Sequence, residues 1–151
     1  MAVALRTITI FNSIAALVPT GVVIKDLDEI PQAVDPRQPT LYPLPDSAVS
    51  DFQVVRRSQG SAGTALMDVT YTLTYRFCCF PVGSGRGLFD VYDGFLTRVV
   101  AIINALLAAD TVAGLIDIEE WNWNFGVVAD PSNVEFHGAD ISFVVLEFQG
   151  G

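Results

Sequence analysis

The sequence predicts one α+β domain, a mostly antiparallel sheet with an N-terminal helix and one long helix packed on one face. Three observations favour this fold. Apolar and polar residues alternate strictly through 68–77, the pattern of a half-buried antiparallel strand. Residues 88–109 place their polar positions at helical spacing. The order helix, strand, Pro-rich segment, hairpin, helix, hairpin favours helices gathered on one face of a sheet.

Composition fits a single core-rich domain. The chain has 151 residues, of which 51% are hydrophobic and only 17% charged, and this excludes a disordered chain. Eight basic against seventeen acidic residues give a net charge of −9, which disfavours tight binding to a phosphate backbone. So apolar a chain either has a very large core or hides part of its surface in an assembly.

The first elements are a helix, a short strand and an acidic turn. Residues 4–18 carry apolar side chains at helical spacing, and Pro19 and Gly21 end that pattern. Val22 to Ile24 form a short β-branched strand that runs into the acidic turn 26–29.

Residues 29–51 hold five of the eight prolines and predict an extended arm or wrapped loop, with a short edge strand at 40–44. Two interpretations stay open for this arm. It covers an edge of its own sheet, or it lays apolar side chains on a neighbouring subunit. The candidate interface residues in the arm are Leu41, Tyr42 and Leu44.

Residues 52–58 and 64–80 predict a projecting hairpin with its turn at 59–63. Arg56 and Arg57 form the only adjacent basic pair and precede the hairpin tip. In so acidic a chain, they are candidates for docking on an acidic partner surface. The alternative is that one arginine pairs within the sheet while the other is solvated.

The second half predicts a long helix and a second hairpin. Helix 88–109 has one narrow polar stripe, and its apolar arc is wider than one sheet face requires. Strand 115–128 changes phase at Glu119-Glu120, the signature of a β-bulge. Residues 129–138 form a turn, and strand 141–149 is apolar on both faces, which predicts a central position in the sheet.

The search for catalytic chemistry finds little, and the chain is expected not to be an enzyme and to bind no metal or cofactor. His137 stands alone in a predicted turn, without metal-ligand spacing. Ser84 and Ser132 lack a nucleophile-elbow motif. Cys78 and Cys79 are adjacent on a strand and are interpreted as two buried free thiols.

Two further patterns are weak as binding motifs. The loop 83–87 reads Gly-Ser-Gly-Arg-Gly, which lacks both the dinucleotide spacing and the phosphate-loop lysine, so a flexible connector is the better interpretation. The acidic turns at 26–29 and 117–120 lack calcium-loop spacing and are interpreted as solvated.

The order of elements resembles the tail-terminator and neck proteins of long-tailed bacteriophages. The resemblance spans most of the chain but includes no short diagnostic motif. The segments that carry it are PRQPTLYPLP, VTYTLTYRF, LFDVYDGFLTRVVAIINALL, WNWNF and ISFVVLEF. It implies a homo-oligomeric ring, commonly a hexamer, that caps the tail tube, ends its polymerisation and meets the head-completion or connector protein. It also implies assembly in the host cytoplasm, residence in the virion neck, no membrane partner and no covalent chemistry.

The resemblance further implies that duplex DNA passes through the ring without tight binding, because acidic walls repel phosphates. The candidate channel residues are Asp26, Asp28, Glu119 and Glu120. Three alternatives remain open. The chain is a head-side stopper or tail-completion protein of the same neck, a small-ligand module or enzyme using the loop 83–87 with Arg86, or a sheet protein that simply dimerises.

Overall fold

The structure, a computed structural model, describes residues 6–57, 66–83, 85, 87–109 and 116–149. Two helices and six strands lie in this part of the chain, with a short 3-10 turn at Leu27–Glu29. In chain order the helices and strands are α1 (Thr7–Ala15), β1 (Val23–Ile24), β2 (Thr40–Pro43), β3 (Val49–Arg57), β4 (Leu66–Pro81), α2 (Leu88–Ala108), β5 (Ile116–Ala129) and β6 (Glu135–Gln149).

The six strands form one mixed sheet in the order β1-β2-β4-β6-β5. Only the β1–β2 pair is parallel. Strands β2 and β3 both pair with the same edge of β4. Strand β2 pairs with Tyr75–Cys78 and β3 with Leu66–Leu73, so the two strands lie end to end in one column of the sheet. The predicted α+β class, with a mostly antiparallel sheet, is confirmed.

Both helices pack on the same face of the sheet, against the alternating side chains of β4. That face of β4 is fully buried through Val69, Tyr71, Leu73, Tyr75 and Phe77. The Phe11 ring of α1 lies 5.7 Å from the Tyr75 ring, and the Phe95 ring of α2 lies 5.8 Å from the Phe77 ring. The strict alternation therefore predicted both the strand and its core face correctly.

A smaller second core lies on the opposite face of the sheet, beneath the Pro-rich arm. Its buried members are Val34, Tyr42, Cys78, Val128 and Phe136, and Ile30 packs partly against them. The arm thus covers its own sheet. Burying Val34 and Tyr42 in this way removes from water side chains that an extended arm would otherwise expose.

This arm corrects the interface prediction for two residues. Leu41 is 0% exposed and belongs to the main core, while Tyr42 is 1% exposed and belongs to the second core. Neither side chain is accessible to another subunit. Consecutive strand residues point to opposite faces, and here both faces are covered, so β2 buries both side chains. Leu44 follows β2 and is half-buried, so its role in an interface stays a prediction.

Several predicted boundaries also change. Strand β2 is not an edge strand, because β1 pairs along its outer side. In the described part of the hairpin, β4 pairs with β6 from Met67 to Pro81. The predicted turn at 59–63 lies outside the described residues, so the projection of the hairpin stays a prediction. Strand β6 begins at Glu135, six residues before the predicted 141, and it includes His137, which was expected in a turn.

Three local predictions are confirmed. The register of β5 against β6 shifts between Ile118 and Glu120, which places the bulge where the phase change predicted it. Strand β6 lies in the interior of the sheet, between β4 and β5. Neither Cys78 nor Cys79 is in a disulfide, and both are buried.

Asp130 fastens the arm to the β5–β6 turn. One carboxylate oxygen accepts a hydrogen bond from the Val34 amide at 2.9 Å. The other accepts from the Ser132 amide, the Ser132 hydroxyl and the Val134 amide. Burial alone would raise the pKa of Asp130, but these four hydrogen bonds favour the charged form and the net result is a lowered pKa.

We expect Gly138→Ala to destabilise the protein. A Cβ at this position would lie 1.9 Å from the backbone carbonyl oxygen of Phe77, whereas a Cβ at its cross-strand partner Gly126 meets nothing within 4 Å. Chemical denaturation should show a free energy of unfolding lower by about 1–3 kcal/mol for Gly138→Ala. Gly126→Ala is the matched control and should stay near wild type; equal losses in the two variants would contradict this packing.

We expect Asp130→Asn to destabilise the protein at neutral pH, because the amide keeps one acceptor oxygen where the carboxylate serves four donors. The loss in free energy of unfolding should be about 1–3 kcal/mol. Since the folded pKa is lowered, this stabilisation is present above the unfolded pKa of about 3.9 and disappears as the pH falls through the folded value.

Denaturation of wild type and variant from pH 7 to pH 2.5 tests this expectation. The two unfolding free energies should converge at the acidic end. Asp46→Asn, which changes an exposed carboxylate in the turn after β2, is the control and should change little at any pH. A constant gap between wild type and Asp130→Asn across the whole range would contradict a role for the carboxylate charge.

Candidate interaction surface

Helix α2 carries two apolar stripes, and only one of them packs on the sheet. The buried stripe runs through Val91, Phe95, Val99, Ile102 and Leu106. The second stripe has the same helical spacing but is largely exposed, with Phe89 82% accessible; it consists of Phe89, Tyr92, Leu96, Val100, Ile103 and Leu107. The narrow polar stripe predicted for this helix is exposed except at Ala101, which is half-buried; it consists of Asp90, Asp93, Thr97, Ala101, Asn104 and Ala108. The wide apolar arc predicted from the sequence is therefore divided between the core and the surface.

The second stripe of α2 faces the side of the sheet where β5 lies. Tyr92 lines a groove together with Phe125 and Val127 of β5, and the Phe95 ring lies 5.2 Å from the Phe125 ring. Because α2 lies over β4 and β6, the helix-side residues of β5 are only partly covered. Phe125 and Val127 are about half exposed, and Trp121 and Trp123 are half-buried.

Because Tyr92 shares a groove with Phe125 and Val127, the second stripe adjoins β5 there, and we call the two together the α2–β5 surface. It consists of the second stripe of α2 together with Trp121, Trp123, Phe125 and Val127. Exposed apolar surface of this extent is unusual on a monomeric protein and commonly marks an interaction site.

Two strands of the sheet have an open outer edge in the described part of the chain. Strand β5 pairs only with β6, and β3 pairs only with β4. Strand β3 also exposes apolar side chains, namely Val49, Phe52, Val54 and Val55. The Phe52 ring stacks 5.7 Å from the Tyr71 ring, so it packs over its neighbouring strand. The molecule thus presents apolar open edges on two opposite sides.

Beyond the region covered by the arm, the sheet face opposite the helices combines polar residues with the half-buried Val144 and Leu146, which lie in the rows of Thr72 and Thr70. Its half-buried or exposed residues include Thr70, Thr72, Thr74, Asn122, Asn124 and Ser142. Arg76 and Asp140 lie on this face and form a two-point ion pair with N–O distances of 2.7 and 2.9 Å. An open groove beside them is lined by Thr74, Asn122 and Asp140. This Thr-rich face was predicted to meet water or another subunit.

One buried polar network lies in the main core and was missed by sequence reasoning. The Glu147 carboxylate is 1% exposed and accepts hydrogen bonds from the Tyr71 hydroxyl and from the Arg6 amide at the start of α1. Burial raises the pKa of Tyr71, and the hydrogen bond that its hydroxyl donates to Glu147 raises it further. A carboxylate at a helix N-terminus is favoured by the helix dipole, so Glu147 fixes the start of α1 on the sheet. The alternation of β6 places Glu147 on the core face, but nothing in the sequence indicates its partners.

The candidate channel acids do not form one cluster within the chain. Asp26 caps the 3-10 turn by accepting from the Leu27 amide at 2.7 Å, and it accepts from the Asn12 amide group of α1 at 2.7 Å. Asp28 is exposed on the same turn. Glu119 and Glu120 belong to β5, and β1 and β5 lie at opposite ends of the strand order. The side chains of Glu119 and Glu120, like those of Arg56 and Arg57, lie outside the described residues.

The described residues contain no arrangement suited to metal or nucleophilic chemistry. No three His, Cys, Asp or Glu side chains among them come together as a metal site would require. Burial raises the pKa of the Cys78 thiol to about 11, which disfavours the reactive thiolate. Gly83 and Gly85 adopt left-handed conformations that favour glycine, as a tight connector requires. Ser84 and Arg86 of the same loop lie outside the described residues.

Helix α2 is apolar enough over Phe89–Ala108 to cross a membrane by length and composition alone. A core helix of a globular protein meets the same criterion, and one stripe of α2 is buried on the sheet. The absence of a membrane partner, which the resemblance implies, stays a prediction.

Comparison with known proteins places the chain in no family. No protein-family model matches the sequence, and no curated protein is significantly similar to it.

We expect both thiols of the native protein to be unreactive. Cys78 and Cys79 are almost fully buried, and the raised pKa of Cys78 keeps it protonated at neutral pH. An aromatic disulfide reagent at pH 7.5 should release no chromophore within minutes from native protein and two equivalents per chain after denaturation, matching the two cysteines. Rapid reaction of the native protein would contradict the described packing.

Proposed function

We propose that this protein is the structural subunit of a bacteriophage neck ring, which caps the tail tube, ends its polymerisation and joins the tail to the head-side connector. The α2–β5 surface is the observation that carries the proposal. Fully burying one large apolar side chain contributes about 1.5–3 kcal/mol relative to exposing it. A surface with several such side chains, each at least half exposed, can stabilise a subunit contact.

The two open edges support a ring rather than an isolated pair. They lie on opposite sides of the sheet and differ in sequence, so each copy presents two different surfaces to its neighbours. A head-to-tail contact between two different surfaces generates a closed ring wherever the rotation between copies closes.

The assignment to a phage neck rests on the resemblance in element order and on charge. The helix, short strand, Pro-rich arm, hairpin, helix and hairpin follow one another as the resemblance implies. The net charge of −9 suits a conduit through which DNA slides without lodging. The same features support a head-side stopper or tail-completion protein of the same neck.

A tube assay separates these related roles. A terminator should shorten the tubes formed by the tail-tube protein encoded in the same phage genome, and it should bind their ends in negative-stain images. Tubes of unchanged length with bare ends, beside rings that bind the connector, would favour a stopper. Bare tube ends together with no connector binding would count against the neck assignment altogether.

We expect the double variant Leu96→Glu with Val100→Glu to lose self-association while keeping its fold. Both side chains lie in the exposed stripe of α2 and are about half accessible, so charges there are tolerated in the monomer but not in an apolar contact. Sedimentation velocity should show a shift from oligomer to monomer, with an unchanged circular dichroism spectrum.

The matched control is Thr97→Glu with Asn104→Glu, which adds the same charge to the polar stripe of the same helix. This control should assemble like wild type. Equal loss of assembly in both double variants would assign the effect to net charge, and retained assembly in the Leu96 and Val100 variant would remove the α2–β5 surface from the contact.

A further inference from the structure

The two open edges of the sheet carry opposite charges at the same end of the sheet. Strand β5 contains Asp117, Glu119 and Glu120 and no basic residue. Strand β3 contains Arg56 and Arg57 against the single Asp51. The register across the sheet places Val54, Val69, Glu147 and Ile116 in one row, so both charge clusters lie within a few residues of that row.

We propose that the open edge of β3 in one copy pairs with the open edge of β5 in the next copy, so that one antiparallel sheet continues around the ring. This inference rests on the proposed function, and it identifies a second copy of the chain as the occupant of each open edge. Strand polarity fits, because β3 is antiparallel to β4, β4 to β6 and β6 to β5. Extending the sheet from β5 to the β3 of a following copy therefore makes a further antiparallel pair.

The charges select this pairing over the symmetric alternatives. Pairing β5 with a second β5 would bring two strands of charge −3 together, whereas pairing β5 with β3 brings acidic residues to the edge that carries the arginines. Repulsion between like charges disfavours the pairing of β5 with a second β5, and attraction between opposite charges favours the pairing of β5 with β3.

The register also allows close approach of the two clusters. If the sheet continued without any stagger, Asp117 of one copy would lie level with Gln53 of the next copy. Gln53 precedes Arg57 by four residues. A stagger of four residues, about 13 Å along the strands, brings Arg57 level with Asp117. Because the stagger is even, the core face of each strand stays on the core side. Closed sheets require such a stagger between strands.

The same pairing would bring apolar residues of both edges to one contact. At this stagger Val54 of β3 comes level with Trp121 of β5, and Val49 comes level with Phe125. Val49, Val54 and Phe125 are each about half exposed in the single chain, and Trp121 is half-buried.

Among the described residues no strand lies beside the outer edge of β3, because β1 pairs with Thr40 and Leu41 of β2, beyond the end of β3. At the four-residue stagger the incoming β5 can pair with β3 as far as Phe125, and its last residues must turn away from β1.

Charge exchange between the two edges tests the pairing. The first variant is Arg56→Glu with Arg57→Glu, the second is Asp117→Arg with Glu120→Arg, and the third combines all four substitutions. Each of the first two should raise the dissociation constant by about tenfold or more, because attraction becomes repulsion. The combined variant should recover most of the affinity of wild type, as sedimentation equilibrium would measure it.

The control variant is Lys25→Glu with Arg37→Glu, which changes the net charge as the first variant does but lies outside both β3 and β5. It should associate like wild type. Hydrogen exchange of wild type supplies a direct measure of edge pairing. On association, amides of Gln53–Arg57 and of β5 should both become protected, while those of β1 should not change.

The outcomes separate this inference from the proposed function. Association without recovery in the combined variant, or protection of β5 without β3, would overturn the edge pairing and leave a ring by another contact. Recovery together with protection of both edges, but without any effect on tail tubes, would support the pairing and count against the neck role. A wild-type chain that stays monomeric at high micromolar concentration would overturn both.

Discussion

The structure depends on the burial of one face of β4. Five consecutive odd-numbered positions of this strand, from Val69 to Phe77, are completely inaccessible to solvent. This burial determines the register of β4 with the strands on either side of it, because a slip of one residue would move the entire apolar set to the opposite face. Helices α1 and α2 are then held on the same side, since that face offers the apolar surface they cover.

The width of the sheet explains why so much apolar surface remains exposed. Helix α2 lies over β4 and β6, and α1 packs against Tyr75 of β4, so β5 is covered only in part, chiefly where Phe95 contacts Phe125. The second stripe of α2 and the helix-side residues of β5 are therefore left beside each other. Among the described residues the opposite face carries no helix. It is rich in threonine and asparagine, it half-buries Val144 and Leu146, and the arm covers its second core.

The two buried carboxylates show how distant parts of the chain are tied to this sheet. Asp130 joins the β5–β6 turn to Val34, which lies 96 residues away in the sequence. Glu147 joins the last strand to the start of α1 across 141 residues. Each carboxylate is hydrogen-bonded to backbone amides, as buried charges require. Asp130 fastens the part of the arm that precedes β2, whereas β2 itself is held by its pairing with β1 and β4. Glu147 holds the start of α1, and the burial of Phe11 against Tyr75 holds its centre.

The sequence by itself determined the elements whose pattern is local. Alternation fixed β4 and its core face, helical spacing fixed α2 and its polar stripe, and the phase change at Glu119 located the bulge, because each pattern reflects the repeat of a single element.

Only the tertiary structure decided where the arm packs. Prolines predict extended backbone, but whether Leu41 and Tyr42 contact the same chain or another depends on which residues lie beneath them. It also decided which part of the wide apolar arc of α2 is buried, because the position of the helix over β4 and β6 depends on the strand order. The charged edges were visible as residues, but their place at the same end of one sheet follows from the register of four strands, which no local pattern specifies.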